Sequence, residues 1–260
     1  MKICRKSWLL LAVGCALLPA MLSAAERGTR LKPGEFNPDD ETVELFSAME
    51  ADQLEVKFIP KDDTVGRLII KNKTNRPLNV QLPDAFAVMP ILAQPGLGGG
   101  GGGQAGGGGL GGGGLGGGGL GGGGGGAGGG FFNIKAEKVD DLKVPIVCLE
   151  HGKPEPRPAI PYEIRPLDAF SQDPVLYQLM KLFGTGQINR RVVQAAAWHL
   201  TDDMSWEELN SKVIEHLNGT VERYFSQQEL TLAYQLTQIA KQRAEEAQTK
   251  SPGETSKYPE

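Results

Sequence analysis

Alternating hydrophobic and polar residues mark a series of short strands in the first two thirds of the chain. Between residues 54 and 58, apolar and charged side chains alternate and Ile59 follows, which is typical of a half-buried strand at 54–59. Further strands are predicted at residues 67–71, 78–82, 86–92, 131–134, 142–149 and 162–164. Pro90 places the strand at 86–92 at a sheet edge or a bend. This spacing predicts an antiparallel β-sandwich or barrel-like part over residues 54–164.

After residue 173 the hydrophobic spacing becomes helical. Asp173 followed by proline is typical of a helix start, and Ser205 with Glu208 forms a capping box. The predicted helices are 174–183, 190–200 after Asn189, 206–217, which Asn218 and Gly219 end, and 227–247 after a second capping box of Ser226 and Glu229. Helices that follow a set of strands predict an α+β fold, here with a four-helix subdomain over residues 173–247.

Glycine dominates residues 96–130, in which the pentapeptide GGGGL occurs three times. Glycine loses the most conformational entropy on ordering and has no side chain to bury, so this tract is predicted to be disordered. We interpret it as an insertion at the tip of a hairpin formed by the strands on either side, because lengthening a surface loop costs little free energy. A spacer or a sticky arm is the alternative. On the first interpretation, residues 41–247 form a single α+β domain.

The first residues of the chain predict export. Residues 1–25 combine a basic start, an apolar core and small residues suited to cleavage, as in a secretory signal peptide. A flexible leader at 26–40 and a disordered polar tail at 248–260 are also expected. Because Lys2, Arg5 and Lys6 would leave with the signal, the 27 basic residues fall to 24 against 31 acidic ones, a net charge of −7. The chain has no basic patch with interleaved aromatic residues, so we expect no nucleic-acid partner. No apolar run is long enough for a spanning helix, so we expect no stable membrane insertion after signal removal. The signal predicts a periplasmic, cell-surface or extracellular location.

Cys148 is expected to be the only thiol of the exported protein, since Cys4 and Cys15 fall in the predicted signal. The sequence VCLEHGKPEP surrounds it, and QAAAW begins at Gln194. On a helix, Gln194 shares a face with Trp198. The three histidines and the cysteine have no zinc-site spacing, so neither a metal nor another cofactor is expected.

These two segments resemble the bacterial surface thioester domains, in which a strand cysteine is joined to a helical glutamine. The resemblance implies β-structure packed on a helical part and an internal thioester between Cys148 and Gln194. It also implies covalent single-turnover capture of an amine or a hydroxyl on a protein or glycan surface, rather than enzymatic turnover. In this role Trp198 would shield the bond, and His151 and Lys153 would shield it or position the incoming group. The chain departs from the family pattern next to both reactive residues, at Val147, Val193 and Ala197.

Two other interpretations of Cys148 stay open. The first is a structural or binding protein of the cell envelope in which Cys148 is an inert buried residue, as free cysteines often are. The second is a cysteine hydrolase in which His151 acts as the base, although two side chains three positions apart on a straight strand point to opposite faces.

Overall fold

A computed structural model describes residues 36–91, 104–110 and 130–250. The predicted signal peptide, most of the leader and the end of the polar tail lie outside these residues. The strands are β1 (Glu41–Glu44), β2 (Leu54–Pro60), β3 (Val65–Asn72), β4 (Leu78–Gln81), β5 (Phe86–Pro90), β6 (Gly106–Gly108), β7 (Phe131–Ile134), β8 (Val139–Pro145), β9 (Val147–Cys148), β10 (Tyr162–Pro166), β11 (Val213–Glu215) and β12 (Val221–Arg223). The α-helices are α1 (Leu45–Glu50), α2 (Pro174–Gly184), α3 (Arg190–Thr201), α4 (Trp206–Ser211) and α5 (Gln227–Lys250). The described part therefore has a mixed α+β fold, as predicted.

A curled antiparallel sheet of seven strands forms the main body, in the order β8-β3-β2-β10-β5-β6-β9. Its two edge strands, β8 and β9, are consecutive in the chain and are separated only by Ile146. The backbone nitrogen of Ile146 donates to the carbonyl of Thr64 at 2.9 Å, which continues the pairing of β8 with the chain before β3. The sheet curls far enough for one residue to join its opposite edges.

A second sheet, in the order β1-β4-β7, contributes to one hydrophobic core with the large sheet. Phe58, Leu68 and Phe86 of the large sheet belong to the same buried cluster as Val80 and Phe132 of the small one. Their side chains are almost completely removed from water, which is the main favourable term for this half of the fold.

Most predicted strands are confirmed, but the predicted hairpin across the glycine tract is wrong. The strand at 86–90 belongs to the large sheet, where β5 pairs with β10 and β6, whereas the strand at 131–134 pairs with β4 in the small sheet. Pro90 is the last residue of an interior strand rather than part of an edge strand. The alternation in each segment was identified correctly, but alternation does not specify which strands become neighbours.

Part of the glycine tract is a buried strand, contrary to the prediction that the whole tract is disordered. Gly106–Gly108 form β6 between β5 and β9, and all three residues are buried. A Cβ atom on Gly108 would lie 2.5 Å from the Phe86 ring, and one on Gly107 would lie 2.8 Å from the Met180 sulfur. Close packing on both faces therefore selects glycine here. The other residues of the tract, except 104–105, 109–110 and 130, lie outside the described residues.

The predicted helix starts are confirmed, but the third helix is shorter than predicted. The Asp173 side chain caps α2, the Asn189 side chain caps α3, and the Ser205–Glu208 capping box is present at α4. Helix α4 ends at Ser211, and the hairpin β11–β12 occupies the rest of the predicted helix. Asn-Gly is a strong hairpin-turn signal as well as a helix end, and Gly219 adopts a φ of +80°. The predicted four-helix subdomain is therefore not confirmed.

The helices share a second hydrophobic core with one end of the large sheet. Leu176 and Met180 of α2, Val193 of α3 and Ala233 of α5 lie in the same buried cluster as Val147 of β9. This packing places α3 beside the strand that carries the single described cysteine. Among the described residues, no helix combines the length and the apolar composition that crossing a bilayer requires.

Candidate functional site

Cys148 lies on the edge strand β9, between β6 and helix α3. The backbone N–H and C=O groups of its neighbours Val147 and Leu149 point towards β6. Val147 is in register with Gly107, and the Leu149 nitrogen donates to the Ala105 carbonyl at 2.9 Å. Backbone polar groups alternate in direction along a strand, so the N–H and C=O of Cys148 point away from β6. Without a hydrogen-bonding group on α3, the N–H and C=O of Cys148 would be buried and unpaired.

Gln194 of α3 supplies both missing partners. Its Oε1 accepts a hydrogen bond from the Cys148 nitrogen at 2.8 Å, and its Nε2 donates to the Cys148 carbonyl at 2.8 Å. The side-chain amide thus pairs with Cys148 as a neighbouring strand would. Only 1% of Gln194 is exposed to solvent, so both bonds form away from water.

This pairing brings the two residues of the predicted thioester together. The two hydrogen bonds hold the amide carbon of Gln194 beside the α-carbon of Cys148, and the sulfur is two covalent bonds from that α-carbon. The amide is thus held next to the residue whose thiol is predicted to attack it, 46 positions earlier in the chain.

Small side chains allow α3 to approach the sheet this closely. Ala195, Ala196 and Ala197 follow Gln194 and are all completely buried. The Arg191 guanidinium fixes the start of the helix against α5 by donating to Glu229 at 2.8 Å.

The Cys148 thiol is enclosed in an apolar environment. Burial, and to a smaller extent the negative charge of Asp63, raises the pKa of this thiol to about 12, against a smaller opposing effect of Arg190. The thiol is therefore neutral at physiological pH, unlike the thiolate of a typical cysteine hydrolase.

Trp198 is the centre of an aromatic group next to Gln194. Its ring packs edge-on against His151, with centroids 4.8 Å apart, and also contacts Tyr224 and Phe225. The indole Nε1 is buried and has no hydrogen-bond partner among the described residues. Trp198 is 95% buried, which agrees with the predicted shielding role but also suits an ordinary core tryptophan.

His151 forms its side-chain hydrogen bond with Lys212. The Lys212 ammonium donates to His151 Nε2 at 2.9 Å and lies 5.3 Å from the centre of the Trp198 ring. No hydrogen bond joins His151 to the Cys148 thiol within the described part of the chain, so the geometry gives the hydrolase interpretation no support. Burial lowers the pKa of His151, and the positive charge of Lys212 lowers it further, against the raising effect of Asp202.

The pKa of His151 predicts a pH effect on stability. Because the folded state lowers this pKa below its ordinary value of 6.5, the unfolded chain binds the proton more readily. The stability contributed by neutral His151 is therefore present above pH 6.5 and lost as the pH falls through the folded pKa. Between pH about 7.5 and about 5.5, the melting temperature should fall more steeply in the wild type than in His151→Gln, which cannot be protonated. Equal slopes would contradict this assignment.

Lys153 is held by a neighbour on the same turn. It forms an ion pair with Glu150, whose other carboxylate oxygen accepts from the Ala105 nitrogen at 2.8 Å. Lys153 therefore pairs with the carboxylate that binds the glycine-rich segment at Ala105. Lys212 was not a candidate from its sequence position, because residue 212 was predicted to lie within a helix and instead precedes the β11–β12 hairpin.

No group of three or more His, Cys, Asp or Glu side chains suited to a metal ion occurs among the described residues. No family model, no curated protein and no solved structure matches the chain. Functional inference therefore rests on the geometry around Cys148 and Gln194.

Proposed function

We propose that this is an exported surface or envelope protein that forms an internal thioester between Cys148 and Gln194. The bond would attach it covalently to an amine or a hydroxyl on a protein or glycan partner. The observation that supports this proposal most directly is the pair of hydrogen bonds by which the Gln194 amide is held against Cys148. Export rests on the signal-like residues 1–25.

Thioester formation requires no reagent beyond the two side chains. The Cys148 sulfur attacks the amide carbon of Gln194, a carbon–sulfur bond forms and the carbon–nitrogen bond breaks. The thiol proton passes to the departing nitrogen, and ammonia leaves. The Cys148 N–H, which already donates to Gln194 Oε1, would stabilise the negative charge that develops on that oxygen.

Loss of the Gln194 nitrogen would prepare the site for its target. In the thioester, the Cys148 carbonyl no longer receives the hydrogen bond from Gln194 Nε2. A primary amine entering the vacated position can donate to that carbonyl while its nitrogen attacks the thioester carbon. The carbon–sulfur bond then breaks, an amide links Gln194 to the partner, and the amine proton restores the Cys148 thiol.

Burial of the site would protect the bond from water. Cys148 and Gln194 are 2% and 1% exposed, and Trp198 packs one helical turn from Gln194. A thioester persists only where water is excluded, so these exposures suit storage of the bond until a stronger nucleophile enters.

Intact-mass measurement of the purified protein tests the proposal. We expect a mass lower than that of the processed sequence by one ammonia, and full mass for Cys148→Ala. Incubation with methylamine should add one methylamine to the wild type, and peptide mapping should place it on Gln194. Full mass in the wild type, with a thiol that becomes titratable on unfolding, would refute the thioester.

That result would support the second candidate, a structural or binding protein of the envelope with an inert Cys148. The same hydrogen bonds favour this candidate in a different way, because the Gln194 amide satisfies backbone groups that would otherwise be buried and unpaired. The raised pKa of the buried thiol also suits an unreactive cysteine.

A further inference from the structure

The hairpin β11–β12, here called the arm (residues 213–223), belongs to neither hydrophobic core. Within the described part of the chain, its two strands pair only with each other. All residues from 215 to 223 are exposed, and Leu217 near the tip is completely so. An isolated two-stranded hairpin is only marginally stable in water, so the contacts at its base determine where the arm lies.

The base of the arm consists of Lys212 and Tyr224, which flank its two strands. The Tyr224 nitrogen donates to the Lys212 carbonyl at 2.9 Å, which continues the backbone pairing of the hairpin. Both side chains pack on Trp198. The Lys212 ammonium lies 5.3 Å from the centre of the indole ring, and the centroid of the Tyr224 ring lies 5.4 Å from it. Because an ammonium is attracted to the face of an aromatic ring, the position of the arm is coupled to that of Trp198.

Trp198 in turn contacts both segments that carry the proposed thioester residues. It lies one helical turn after Gln194 on α3, and its ring packs edge-on against His151, three residues after Cys148. Lys212 completes this group by donating to His151 Nε2 at 2.9 Å. The base of the arm therefore covers the aromatic side of the pairing between Cys148 and Gln194.

This closed arrangement is held by weak contacts and has one unfavourable feature. Lys212 is only partly buried, and a hydrogen bond and cation–π contacts hold its side chain. The Trp198 Nε1–H is buried and has no hydrogen-bond partner among the described residues. A buried unpaired donor costs free energy, which a rotation of the indole towards water would recover. Such a balance favours an element with two positions.

The arm has a second anchor that does not involve Trp198. Arg223 of β12 donates to the side-chain oxygen of Asn210 at 3.1 Å, and Gln227 at the start of α5 donates to the same atom. Asn210 lies on α4 and takes no part in the aromatic group around Trp198. A substitution at Asn210 therefore loosens the arm without removing any part of the cover over the site.

We propose that the arm is a latch on the thioester site. In the closed position, Lys212 and Tyr224 hold Trp198 beside Gln194, and outward movement of the arm frees the indole and opens a path for the attacking amine or hydroxyl. Because almost the whole arm is exposed, a partner that moves it acts directly on access to the bond. Control of a thioester in this way rests on the proposed function, whereas control of access to Cys148 does not.

Methylamine addition to the full-length protein tests the latch. Intact mass first gives the fraction of each sample that carries the thioester, and then the rate at which methylamine is added. Lys212→Ala should react roughly fivefold faster than the wild type, because the closed position loses a cation–π contact and a hydrogen bond. Lys212→Arg retains a cation over the ring and should react within about twofold of the wild type. Asn210→Ala should react roughly threefold faster, because the second anchor is lost.

Lys181→Ala is the matched control, because Lys181 is also a partly buried lysine with a polar partner, Asp84, but lies on α2. It should react at the wild-type rate. A wild-type rate in Lys212→Ala or in Asn210→Ala overturns the latch, as does an equal acceleration in Lys181→Ala. If every sample has full mass, the proposed function fails, and the latch is tested by the rate at which iodoacetamide labels Cys148 in the same variants. The same order of rates is then expected, and equal labelling rates overturn the latch.

Discussion

Replacing Gln194 with leucine in a protein that already lacks the thiol, Cys148→Ala, is expected to lower the free energy of unfolding by about 2–6 kcal/mol. Leucine has a similar size but no hydrogen-bonding group, so the Cys148 N–H and C=O would be left buried without partners. An unsatisfied buried backbone group costs about 1–3 kcal/mol, and two are created here. Urea denaturation of Cys148→Ala and of the double variant gives the difference directly.

The Cys148→Ala background removes an ambiguity. If the thioester forms, any Gln194 variant also loses a covalent cross-link, which the chain-entropy model for disulfides values at about 4 kcal/mol for a loop of this length. In Cys148→Ala that cross-link is already absent, and both backbone hydrogen bonds are retained. A loss below about 1 kcal/mol in the double variant would show that the amide does not stabilise the strand edge.

Trp198→Ala is expected to destabilise the protein by about 3–5 kcal/mol, as is usual when a large buried aromatic is truncated. The indole packs against His151, Tyr224 and Phe225, so its removal leaves a cavity beside the Gln194 turn of α3. Denaturation measures the loss of stability. In protein whose thiol is free, reaction with a thiol reagent under native conditions should also become faster than in the wild type.

Trp206→Ala is the matched control, because that indole packs against His199 and Tyr234 and is only partly buried. It should cost less stability than Trp198→Ala and leave thiol labelling unchanged. Equal effects of the two substitutions on labelling would mean that Trp198 does not cover the site.

Sequence signals correctly predicted the elements whose boundaries are determined by nearby residues, above all the helix starts. The caps at Asp173, Asn189 and Ser205 begin helices where predicted, because a capping side chain satisfies backbone groups only a few residues away. The pairing of Cys148 with Gln194 was accessible only through the motif resemblance, since nothing in the composition relates two residues 46 positions apart.

The wrong predictions for the glycine tract and for the third helix have a common physical cause, which is tertiary packing. Gly106–Gly108 are a poor strand by propensity, but the space between β5 and β9 excludes anything larger. Asn218 and Gly219 form a turn that suits a helix end or a hairpin, and the β-branched residues on either side decide for the hairpin. Lys212 consequently lies beside His151, where a continuing helix would not have placed it.

The single-residue link at Ile146 has a mechanical consequence. Any force that α3 passes to β9 through the hydrogen bonds between Gln194 and Cys148 continues along the backbone straight into β8, on the opposite edge of the sheet. There the force acts on the antiparallel pairing of β8 with β3, and seven residue pairs share the load. A tether anchored at this point would distribute force over the sheet instead of peeling away one strand.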